Sequence, residues 1–78
     1  MVVEHRPVAA PANLSLRELE VLCGLALGET NRMVARSLGV TERTVATHVE
    51  HVLTKLGAGN RAAAAAFAVG VGLVRLPA

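Results

Sequence analysis

No tryptophan, no tyrosine and a single phenylalanine occur in this chain of 78 residues. Without large rings a core cannot be filled by aromatic bulk. The 53% hydrophobic content is mostly Ala, Val and Leu, which fill space when helices approach closely, and an all-α fold is expected. One cysteine, Cys23, excludes an internal disulfide and leaves no cysteine cluster for structural zinc. In its apolar helical setting it reads as a small buried hydrophobe. Charge is sparse too: eight Lys and Arg against six Asp and Glu give a formal +2, so charge alone does not point to nucleic acid. Ala62 to Val74 is apolar or Gly throughout, but its 13 residues are too few to span a bilayer, and no membrane partner is expected. The opening MVVEHRPVAAPA has neither the basic start nor the continuous apolar stretch of a secretory signal, so a cytoplasmic location is the default.

The parts of an active site are missing as well. There is no Gly-rich phosphate loop, no nucleophile with a base at useful spacing and no pair of carboxylates placed for acid-base work. The chain is read as no enzyme, with no cofactor and no small-molecule substrate. His48 and His51, with Glu50 between them, form a two-histidine edge on one helix, which is incomplete as a metal site, and no metal is expected.

What is present is organised around Thr41 to Leu56. At about 100° per residue, Val45, Val49, Val52, Leu53 and Leu56 fall on one arc, the buried face of an amphipathic helix. Arg43, Thr47, Glu50 and Thr54 occupy the opposite arc. Thr44, His48, His51 and Lys55 recur at i, i+4, i+7 and i+11 along one flank, a row of donors spaced to follow a sugar-phosphate strand while the neighbouring face enters a groove. This stretch is read as a DNA recognition helix.

The other elements support it. Residues 1–13, with Pro7, Pro11, Glu4 and Arg6 among Val and Ala, read as a flexible tail or linker, and residues 14–78 as the domain. Ser15 with Glu18 forms a capping box, and Leu14 and Leu19 can staple the entry of a first helix. On that helix Leu16, Leu19, Leu22, Cys23 and Ala26 line one face, widened by Val21, Leu25 and Leu27, before Gly28 stops it. Thr30 caps a short second helix, Asn31 to Leu38, with Val34, Ala35 and Leu38 inward and Arg32 and Arg36 outward, where that helix would cross a DNA backbone. Gly39 ends it and Thr41 caps the next, a helix-turn-helix pattern. After Gly57-Ala58-Gly59, Asn60 caps a fourth helix that runs through Ala62 to Ala66 and on to Val71 with no polar face. An all-apolar terminal helix of small side chains, with Ala62, Ala65, Ala66 and Val69 along one stripe, is expected to meet a partner helix in a homodimer.

Leu14 with Arg17-Glu18 and Val21-Leu22, Gly28 with Asn31 and Val34-Ala35, then Leu38, Thr44-Val45, His48, Leu53, Lys55-Leu56 and Asn60-Arg61 together resemble the LuxR-type (GerE-like) helix-turn-helix domain of bacterial transcriptional regulators, also found at the C-terminus of NarL-type response regulators. The resemblance covers about Leu14 to Val74. It implies a four-helix domain that binds double-stranded DNA, with its third helix in the major groove and its fourth supporting dimerisation. By position it implies phosphate contacts from Thr44, His48 and Lys55, with Asn31 and Arg32 near the start of the second helix. The donor row adds His51. Base reading is implied around Ala46, Thr47 and Glu50, with Arg43 on the same arc. The residue after Thr-Val is commonly Lys in this family, and Ala46 stands there in this chain. Ala can touch a thymine methyl but cannot make a bidentate contact to guanine, and Glu50 can accept from a cytosine amino group, pair with Arg43 or Lys55, or repel phosphate. The principal expectation is a sequence-specific transcriptional regulator. The second is a dimerisation module of the same fold that has lost effective DNA binding and acts through a homologous regulator.

Overall fold

The computed structural model describes residues 2–3 and 13–75. Four helices succeed one another, α1 (Leu16–Ala26), α2 (Asn31–Leu38), α3 (Glu42–Leu56) and α4 (Arg61–Gly70). Each begins at a polar side chain that accepts an otherwise unpaired backbone N–H of its first turn. Ser15 Oγ takes the Glu18 N–H at 3.1 Å while Glu18 Oε1 takes the Ser15 N–H at 2.9 Å, completing the capping box. Thr30, Thr41 and Asn60 do the same for α2, α3 and α4 at 3.1, 3.1 and 2.8 Å. The turn from α2 to α3 passes through Gly39 at φ +70°, a left-handed conformation costly for any residue with a Cβ, and the Val40 N–H closes it on the Ala35 carbonyl at 3.0 Å.

The architecture is the expected all-α four-helix domain. α1 is the central strut, packing most extensively on α4 and next on α3, while α2 packs on α3. One core forms, from Leu14, Val21, Leu22, Cys23 and Leu25 around α1, Val34 and Ala35 of α2, Val45, Val49 and Val52 of α3, Ala64 and Ala68 of α4, and Leu73. Close packing of small residues takes the place of aromatic bulk. At Gly24 an added Cβ would lie 2.7 Å from Val34 Cγ2, so α1 and α2 approach at a point where no side chain fits. Leu22, Val21, Val34, Val45 and Val52 are fully buried. Truncating a buried Leu to Ala costs about 2–5 kcal/mol, comparable with the 3–5 kcal/mol or so that one small core supplies.

Three features differ from the sequence reading. Leu16 is 64% exposed, because the buried arc of α1 is centred on Glu18, Val21, Leu22 and Leu25 and the first helical residue lies across the helix from it. Glu18 is itself buried. The third feature is a short antiparallel pair, β1 (Val2–Val3) with β2 (Val74–Arg75), Val2 opposite Arg75 and Val3 opposite Val74. Two residues read as tail therefore pair with two near the end of the domain. The remainder of residues 1–12, and residues 76–78, lie outside the described residues.

Candidate nucleic-acid interface

The inward face of α3 fixes what its outward faces present. Val45, Val49 and Val52 are buried, and Leu53 and Leu56 pack partly against the core. Arg43, Ala46, Thr47 and Glu50 are all exposed on the far arc. The Thr47 hydroxyl donates to the Arg43 carbonyl at 3.2 Å, so its proton is spent within the helix and it offers a methyl and lone pairs outward. Among the described residues Glu50 makes no ion pair, neither with Arg43 nor with Lys55.

The flanking row divides. Thr44, at its start, is exposed, and its hydroxyl accepts from the Thr41 hydroxyl at 2.9 Å, leaving its own proton to donate outward. His48 is half-buried, with Nδ1 fully covered and without a hydrogen-bond partner. The lower half of the row leans on α1. Lys55 Nζ donates to Glu18 Oε1 at 2.8 Å and to the Asn13 carbonyl at 3.4 Å, and His51 Nδ1 lies 3.7 Å from Glu18 Oε2. The Lys55 hydrogen bond, reinforced by the Ser15 N–H, holds the Glu18 carboxyl down to about 2 against the desolvation that opposes it. Lys55 thus spends much of its charge on Glu18 and keeps one of three protons for another acceptor.

A second tie fixes the start of α2. Arg61 donates from Nη1 to Asn31 Oδ1 at 2.6 Å and from Nη2 to the Glu29 carbonyl at 2.7 Å. Because Arg has only donors, the Asn31 oxygen must face it, which turns the Asn31 NH2 group away. Arg32 and Arg36, on the outer side of α2, are exposed and line a shallow depression with Glu29, Met33 and Ser37. Glu18, Arg61 and the Glu29 carbonyl are the site-forming groups that pattern reasoning missed. Ala62, Ala66 and Val69 are exposed on α4 and Ala65 is half-buried, so the stripe read as a dimer face is an open apolar surface next to the buried Ala64 and Ala68. No helix among the described residues is long and apolar enough to cross a membrane.

Comparison with known proteins agrees with the four-helix fold. The family described as "GerE: Bacterial regulatory proteins, luxR family" matches residues 12–68. The chain is 43% identical over 56 residues to the transcriptional regulatory protein LiaR of Bacillus subtilis (strain 168), covering 72% of this chain and 26% of that protein. It is 43% identical over 63 residues to the transcriptional activator protein SolR of Ralstonia nicotianae, covering 81% and 27%. With the probable transcriptional regulatory protein NarL of Mycobacterium tuberculosis the identity is 46% over 68 residues, covering 85% and 32%. The chain thus spans about a quarter to a third of the length of these relatives.

Proposed function

This chain belongs to the luxR family of bacterial regulatory proteins, and from that premise we propose that it is a DNA-binding transcriptional regulator acting in the cytoplasm. Its third helix enters the major groove of double-stranded DNA. Arg43, Thr47 and Glu50 meet base edges, with Ala46 at the margin. Thr44, His48, His51, Lys55, Asn31 and Arg32 hold the flanking phosphates. Two copies associate through Ala62, Ala65, Ala66 and Val69 of α4. The observation that carries this reading is the division of α3 into a buried valine face, an open polar arc and a donor flank, with Arg32 exposed on α2.

The ties to Glu18 and Arg61 support the reading in a specific way. They orient Lys55 and the Asn31 amide without consuming all their donors, which lowers the entropy lost when those groups meet a strand. Selection of bound duplexes from a random pool tests it. A consensus with two related half-sites centred roughly one helical turn, about 10 base pairs, apart is the expected result. A folded, dimeric chain that enriches no sequence favours the dimerisation module instead, the reading that the exposed Glu50 and the partly neutralised Lys55 keep in view.

A further inference from the structure

Glu18 of α1 joins His48 and His51 of α3 in a cluster that neither helix contains alone. One ligand atom from each of the three side chains lies within 4.8 Å of the others. We propose that this cluster is a binding site for a borderline divalent cation of the zinc class, held by Glu18 Oε2 and one ring nitrogen each from His48 and His51, with a fourth position open to water.

Four observations carry it. The donor set, two imidazoles and one carboxylate, suits zinc, whereas magnesium and calcium take oxygen ligands. The separation of His51 Nδ1 from Glu18 Oε2, 3.7 Å, is too long for a hydrogen bond. It is close to the ligand-to-ligand edge, roughly 3.4 Å, of a tetrahedron with zinc bonds near 2.0–2.1 Å. The Glu18 carboxylate is already oriented as a ligand should be: the Ser15 N–H and Lys55 Nζ both bind Oε1, and among the described residues no hydrogen bond reaches Oε2. Finally, His48 Nδ1 is buried with no hydrogen-bond partner, and a cation taken on that atom would satisfy it.

Lys55 opposes the cation, since its ammonium sits 2.8 Å from the other oxygen of the same carboxylate. That opposition sets a distinctive expectation, because removing the Lys55 charge should tighten metal binding. The site rests on the α1–α3 seam and not on DNA, so its test needs none. Zn2+ is titrated calorimetrically into the full chain with the histidine ring signals followed by NMR. The expected result is one equivalent bound with the His48 and His51 rings shifting together. His51→Ala, at an exposed position, should lower affinity at least tenfold, His48→Gln should do likewise, and Lys55→Gln should raise it severalfold. No heat and no ring shifts at millimolar Zn2+ would overturn the proposal. So would binding that persists unchanged in a folded His48→Gln/His51→Ala double variant.

Discussion

Glu18 is 5% exposed and stays ionised because the Lys55 ammonium and the Ser15 N–H are bonded to it. Its carboxyl falls from an ordinary 4.5 to about 2 in the folded chain. A carboxyl lowered by folding adds stability that is complete above the ordinary value and disappears as pH falls through the folded one. Between about pH 4.5 and 2, therefore, the chain should lose stability through this one group. Glu18→Gln should melt below the natural chain at pH 7, in the presence of chelator, and the gap should narrow as the pH approaches 2. A gap that stays constant over that range would show that Lys55 and Ser15 do not hold the charge. Cys23 behaves as its setting dictates, burial pushing its thiol up and leaving it an inert part of the core.

At the scale of elements, each helix carried its boundaries in its own residues. Ser15, Thr30, Thr41 and Asn60 cap where pattern alone places them, because a cap is a local contact between a side chain and a backbone N–H three residues on. The inward face of α3 followed from the spacing of its valines in the same way. The ties between helices did not. Lys55 and Glu18 are 37 residues apart and Arg61 and Asn31 are 30 apart, and no periodicity links partners at such distances. The Glu18, His48 and His51 cluster escaped for the same reason, since each helix shows only a fragment of it. Glu18 read as a cap alone because its capping role explained it fully. The β1–β2 pair escaped because two residues a side leave no alternating pattern to detect.

The faces of α2 and α3 make separable predictions. Arg32→Ala should weaken binding to all duplexes about equally and reduce the salt slope by about 1, since a phosphate contact carries no sequence information. Glu50→Ala should instead change the preference among sequences at one base pair, by about 1–3 kcal/mol for the discrimination lost. Competition binding against a panel of single-base variants distinguishes the two. Equal losses for both substitutions across the panel would mean that the groove-facing and strand-facing arcs have been assigned wrongly.

On the scale of the whole molecule, a formal charge of +2 gives little long-range attraction to a polyanion. Within α3, Glu42 and Glu50 offset Arg43 and Lys55, and Lys55 is further occupied by Glu18. On the proposed function a single copy should therefore hold DNA weakly, and a second copy seated on the open apolar stripe of α4 would add its contacts. The 28 × 26 × 21 Å body holds one α3, so if α3 is the recognition helix, as proposed, reading two half-sites would require a partner. The most direct test of this account is the affinity of the chain for random duplex DNA as ionic strength is lowered. With about −0.9 contributed per neutralised phosphate, a log–log slope of roughly −2 to −4 is predicted. A folded chain that fails to bind at low salt, or binds with no dependence on salt, would contradict it.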